Sequence, residues 1–241
     1  MGKTRLQAQR APGKILYSFS TPQQRGRETL YVNSVGNYAC INSCRFCGRK
    51  AAMEGRPNIY EKKAGGNLYL PRAPLAEDIL PLAKERIRKR MPDEIVFVGL
   101  GEPLLNFPAV CDSIRGLRAF GYSGEISLNT NGAVARWGNM PAQLKGAGLD
   151  SVRISVNAVN NVEYNKLCRP KDKDAFLRVC RFLQECAKCG IEVFASFVVG
   201  FEEGKIKTKP FRHYRAFALM LGVELPNILR REYVPPTEEL Q

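Results

Sequence analysis

The feature that most constrains this 241-residue chain is a regular alternation of strand-like and helix-like segments. "TLYVNSV" (29 to 35), β-branched and aromatic, "EIVFVGL" (94 to 100), "EISLN" (125 to 129), "SVRISV" (151 to 156), "EVFASFVV" (192 to 199) and "NILRREYV" (227 to 234) are short and read as strands. Helical patterns fill most of the gaps, as in "APLAEDILPLAKERIRKR" (73 to 90) and "NFPAVCDSIRGLRAFG" (106 to 121), where Val110, Ile114 and Leu117 share a face and Gly121 is a stop. Repeated strand–helix–strand crossover requires parallel strands. The expectation is an α/β fold, a partial (β/α)6 TIM-like barrel with parallel strands. Six strands are too few to close tightly as eight do. The barrel spans 29–235, between an N-terminal basic extension at 1–28 and a C-terminal tail at 236–241.

The polar motifs fall at one place in this scheme. "NYACINSCRFCGRK" (37 to 50) follows the first strand, "GEP" (101 to 103) the second, and "NTNG" (129 to 132) closes the third. Ser155 and Asn157 lie in and just after the fourth, and "GFEEG" (200 to 204) follows the fifth. The carboxyl ends of parallel strands share a face, and ligands bind there. Any one of these motifs reads equally well as turn chemistry, but five on one rim make a site.

Cys40, Cys44 and Cys47 stand at C-x3-C-x2-C spacing in a single loop, with no fourth ligand beside them. A structural zinc site takes four protein ligands. The single histidine, His213, is distant in the chain, in a helical segment, and reads as a surface or core residue. Three thiolates suit a cubane iron–sulfur cluster with one iron left open to a substrate or cofactor. Phe46, next to Cys47, can shield one side of it from water.

With this motif and Phe46 before its last cysteine, the chain resembles the radical S-adenosylmethionine (SAM) enzymes over roughly residues 29 to 235. "LGEP" is similar to that family's Gly-Gly-Glu motif, with Leu100 in place of the first glycine. Taken with "NTNG" and "YNKLCRP" (164 to 170), the set most resembles the small class associated with TatD-type proteins. The resemblance implies a 4Fe-4S cluster on Cys40, Cys44 and Cys47, whose open iron chelates the methionine end of SAM. It implies that Gly101, Glu102 and Pro103 meet the SAM ammonium, and that Asn129 and Ser155 lie near the ribose hydroxyls and the carboxylate. Asn157, two residues past Ser155, is expected on the same strand face. Val199, with Val198, is expected to cover the adenine. Arg153 and Arg169 are candidate partners of the carboxylate. The implied reaction is reductive cleavage of SAM to a 5′-deoxyadenosyl radical that abstracts hydrogen from substrate. No residue is assigned to catalysis on the substrate, which is unidentified.

The other cysteines read differently. Cys111 and Cys180 fall among apolar helix positions and suit core packing. Cys186 and Cys189 form a second C-x2-C that is either packing or half of another metal site. Cys168, near the active rim, is a small residue packing beneath the loop, a radical relay or a redox-sensitive thiol. No stretch has the ~20 apolar residues of a membrane helix, and a cytoplasmic protein is expected, without a membrane partner. The net charge of +14, from 37 basic and 23 acidic residues, favours acidic partners. A reductase such as flavodoxin or ferredoxin is one expected partner, a macromolecular substrate is another candidate, and nucleic acid stays open. The dense run "KERIRKR" (84 to 90) is a solvated helix end or a docking patch. The competing reading of the whole is a non-catalytic zinc- or iron-binding module associated with nucleic acid.

Overall fold

A computed structural model describes residues 13–19, 26–134 and 138–235. These form two compact units, one built from residues up to Ala39 with Gly48–Gly124, the other from Cys40–Cys47 with Glu125–Val234. Most of the expected N-terminal extension and all of the tail at 236–241 lie outside the described residues.

The first unit carries β1 (Leu16–Tyr17), β2 (Thr29–Asn33), α1 (Arg49–Met53), α2 (Ile59–Ala64), α3 (Ala76–Lys89), β3 (Glu94–Val98) and α4 (Phe107–Ala119). β2 and β3 are parallel, with Val32 opposite Phe97. β1 pairs antiparallel with β2, Leu16 facing Val32. A piece of the segment read as a peripheral extension is therefore part of a sheet. Its two residues are too few to give a periodic signal. Val110, Ile114 and Leu117 of α4 are fully buried, as their spacing predicts, and so are Ile79 and Ala83 of α3. α4 ends before Gly121, whose φ of 91° suits glycine. The basic run at the end of α3 is largely engaged within this unit. Arg86 and Arg90 pair with Glu28, Lys89 pairs with Glu85, and Lys84 and Arg88 lie over the Phe120 ring. That favours the helix-end reading over a docking patch.

The second unit carries β4 (Glu125–Thr130), α5 (Met140–Ala147), β5 (Ser151–Ser155), α6 (Asn161–Cys168), α7 (Ala175–Lys188), β6 (Glu192–Val199), the hairpin strands β7 (Glu202–Glu203) and β8 (Ile206–Lys207), α8 (Phe211–Met220) and β9 (Ile228–Glu232). β4, β5, β6 and β9 are parallel neighbours in that order. Helices join them, as strands running the same way require. Ile126, Leu128, Val152, Ile154 and Phe197 fill the core with Phe182 of α7 and Tyr214 of α8. Phe197 and Tyr214 stack at 4.9 Å. The six long strands expected from the sequence are all present, two in one unit and four in the other.

Candidate active site

The cysteine loop belongs to the second unit, and its shape is imposed by residues far away in sequence. The N–H of Ser43 donates to the carbonyls of Cys168 and Arg169, that of Arg45 to Leu167, and that of Lys171 to Ile41. Arg45 Nε reaches the Lys166 carbonyl at 3.0 Å. Asn42, buried, donates from its amide to the Tyr164 hydroxyl at 2.8 Å. The segment "YNKLCRP" is thus the splint of the loop. It forms α6 and ends at Arg169 in a left-handed turn, φ 46°, which leaves the last carbonyls of the helix available to the loop. Cys168 is buried at 1% exposure with its carbonyl committed to Ser43. It packs beneath the loop.

Cys40, Cys44 and Cys47 are half-buried, whereas Cys111, Cys168 and Cys186 are buried. Two N–H groups point at the Cys40 sulfur: the backbone of Asn42 at 3.4 Å and the amide of Asn131 at 3.6 Å. Cys44 and Cys47 bound a turn closed by the Cys47 N–H on the Cys44 carbonyl, 3.2 Å. Among the described residues, no three His, Cys, Asp or Glu side chains are grouped as for a single metal ion. The donor set fits a cluster: three accessible thiols in one loop, with N–H groups directed at sulfur, which is how proteins stabilise the charge of an iron–sulfur centre. Phe46 meets Phe201 edge-on at 5.8 Å, and Phe201 meets Tyr233 at 5.1 Å. Arg45 pairs with Glu203 of the hairpin. An aromatic wall and an ion pair therefore flank the loop on the side of β6.

The remaining predicted residues divide into two groups. In the second unit, Asn129 and Ser155 are partly buried at the carboxyl ends of β4 and β5. Val199, at the end of β6, is 5% exposed, and its carbonyl accepts the Tyr233 N–H. Asn157 is not on the Ser155 face by strand alternation. β5 stops at Ser155, and Asn157 is left-handed, φ 56°. Its side-chain oxygen accepts the Val198 N–H at 3.0 Å, so it ties the turn after β5 to β6. The alternation rule fails because the chain has already left the strand. Asn131 is the residue that sequence reasoning passed over. It sits inside "NTNG", and the signal was the asparagine adjoining a strand end.

In the first unit, Glu102 is buried at 1% exposure and caps the short 3-10 turn Pro103–Asn106 by accepting the Leu104 N–H at 2.9 Å. Its own N–H donates to the Ala39 carbonyl, 2.9 Å. A Cβ on Gly101 would stand 2.5 Å from that same carbonyl. Only glycine lets the backbone come this close. "GEP" thereby fixes Ala39, the residue before Cys40. Asn37 and Tyr38 are left-handed, φ 50° and 49°, and buried Tyr38 is held by its hydroxyl on Glu61, 2.6 Å. Such a conformation costs energy at non-glycine residues and persists only where surroundings enforce it.

Residues 35–206 match the model of the Radical SAM superfamily. The chain belongs to this superfamily and is an enzyme, with a 4Fe-4S cluster and SAM as its cofactors. It is 34% identical over 182 residues to the "Probable GTP 3',8-cyclase" of Saccharolobus solfataricus, covering 75% of this chain and 49% of that one. It is 27% identical over 178 residues to the "Probable dual-specificity RNA methyltransferase RlmN" of Synechococcus, covering 70% and 46%. The chain thus spans about half the length of these relatives. Among solved structures, anSMEcpe with bound AdoMet superposes with a TM-score of 0.59 at 16% identity over 86% of this chain and 52% of that one. Streptococcus suis SuiB bound to S-adenosylmethionine gives 0.57 at 12% over 85% and 38%. This likeness shows the fold to be α/β with parallel strands, of the partial TIM-like barrel kind expected from the sequence. Among the described residues no helix is long and apolar enough to cross a membrane.

Proposed function

We propose that this chain cleaves SAM reductively and uses the resulting radical to abstract hydrogen from a substrate, with Cys40, Cys44 and Cys47 as the only protein ligands of its cluster. The observation that carries this reading is the loop itself: three accessible thiols, splinted by residues 164–171, with two N–H groups on one sulfur. When bound, the cofactor pair supplies one-electron cleavage of a sulfonium to a 5′-deoxyadenosyl radical. The chain's own groups bind and orient. Asn129 and Ser155 offer hydrogen bonds at strand ends, Val199 an apolar face for the adenine, and Phe46 with Phe201 keeps water off one side. Glu102, with Gly101 and Pro103, offers acceptors to the SAM ammonium. Asn157 contributes through the β5–β6 turn. The electron comes from an external reductant such as a flavodoxin or ferredoxin. The zinc-module reading has no observation in its favour. The motif set supports the TatD-associated class, and relatives named for GTP and for RNA give no single substrate to carry over.

Anaerobic reconstitution tests this directly. The loaded enzyme should bind about four irons and, with dithionite, convert SAM slowly to 5′-deoxyadenosine and methionine. Glu102→Ala and Asn129→Ala should each weaken SAM binding by about 1–3 kcal/mol with iron retained. A colourless protein carrying zinc, or SAM left intact by a fully loaded one, would refute the proposal.

A further inference from the structure

The second unit has an open cavity of about 450 Å³ past the end of β6, lined in part by Val199, Lys207, Lys209, Phe211, Arg230 and Glu232. We propose that it is a subsite for a phosphate monoester group of a small-molecule substrate. As a substrate subsite it rests on the function proposed above; as an anion site it stands independently.

The charge balance selects the ligand. Its lining residues include three cations and one carboxylate, a surplus of two positive charges. A phosphate monoester carries about −1.5 to −2 at pH 7 and matches that surplus. A single carboxylate would leave half of it unmet. Arg230 is already paired with Glu232. Lys207 and Lys209, by contrast, have no ion-pair partner among the described residues. An ammonium is a compact point charge suited to phosphate oxygens.

The cations stand on ordered backbone. The Lys209 N–H donates to the Tyr214 hydroxyl at 2.8 Å, and that hydroxyl donates to Glu163 at 3.0 Å. Tyr214 is fully buried. Next to it, Thr208 bonds Phe201 through both backbone and hydroxyl. The rim also holds the start of α8, which has no acidic residue in its first turn and no side-chain cap, so the helix end adds to the positive field. The volume is within the range of small-molecule pockets and exceeds what a bare phosphate needs. Val199 and Phe211 give the organic part an apolar wall. The location also suits a substrate. The cavity begins at Val199, and its hairpin is joined to the cysteine loop by Phe201 on Phe46 and by Glu203 on Arg45.

The test uses the full, reconstituted chain and inorganic phosphate as probe, titrated by calorimetry, with acetate as the monoanion. Phosphate should bind saturably and acetate about tenfold more weakly. The double variant K207A/K209A should lose about tenfold or more in phosphate affinity, while K62A/K63A on α2 should not. E232Q, which removes the opposing charge and releases Arg230, should bind phosphate a few-fold more tightly. It stands as the second arm if the double variant misfolds by circular dichroism. Absent or acetate-like phosphate binding, equal loss in K62A/K63A, or weaker binding in E232Q would each overturn the subsite. SAM cleavage by the wild-type enzyme is read separately. Cleavage without phosphate binding removes the subsite alone. Phosphate binding without cleavage removes the proposed enzyme function and leaves an anion site.

Discussion

Two C-x2-C pairs occur in this chain, Cys44–Cys47 and Cys186–Cys189, and their surroundings have nothing in common. The first lies in a half-buried loop whose backbone is bonded to a distant helix end. The second closes α7, where Cys186 is fully buried and the Cys189 N–H finishes the helix on the carbonyls of Glu185 and Cys186. Burial, followed by the neighbouring Cys189, holds the Cys186 thiol well above its ordinary range. A thiol kept protonated in an apolar helix face is a packing group, because the thiolate is the ligand. Equal spacing therefore says little until backbone and burial are known.

The largest effect expected from this contrast is on iron. Alanine at Cys40, Cys44 or Cys47 should abolish cluster assembly, while Cys186→Ala and Cys189→Ala should keep the full iron content and its absorbance after reconstitution. Half the iron lost from either of the latter two would mean a second cluster.

Next comes the splint. Asn42→Ala removes a buried amide from the Tyr164 hydroxyl, and about 1–3 kcal/mol of stability should go with it. Cluster loss to a chelator should also quicken. Tyr164→Phe keeps the ring and should lose less. If urea midpoints and iron-loss rates match wild type, residues 164–171 do not hold the loop.

A smaller, pH-dependent effect marks the packed thiols. Burial pushes Cys111 and Cys180 up to about 11 from 9.0. Between those values the folded thiol stays protonated while the unfolded one ionises. Their contribution to stability is thus complete below pH 9 and falls as pH rises toward about 11. The urea midpoint of Cys111→Ala should decline less steeply over that window than wild type. Parallel slopes would deny this thiol a part in the decline.

The smallest effect concerns Asn131. Its alanine variant loses an N–H donor to the Cys40 sulfur, so the cluster potential should fall by an amount on the order of tens of millivolts, with iron content unchanged in a redox titration. An unmoved potential would make the 3.6 Å approach incidental.

How much of this was readable beforehand follows from distance along the chain. The six long strands, the buried face of α4 and the three loop cysteines are local patterns, and the sequence states them directly. The edge contact of Phe46 extends a local hint, since its partner Phe201 lies in "GFEEG". The splint is a motif whose role the sequence does not state, because Asn42 and Tyr164 are 122 residues apart and no periodicity links them. Asn157 departs from the expected face because β5 ends at Ser155 and Asn157 itself is left-handed. The cavity depends on the hairpin, β9 and the start of α8 coming together, which only the fold reveals.

The hydrogen bonds between the loop and residues 164–171 run through backbone, an amide, a guanidinium and a phenol, and none of them uses a sulfur. The loop is thus tied to α6 by bonds that leave its three thiols uncommitted. Small zinc domains differ, since their fold appears only with the metal. A chain tied together in this way is expected to fold before its inorganic part arrives and to keep its receptacle when the cluster is lost, so that repair could take the place of resynthesis.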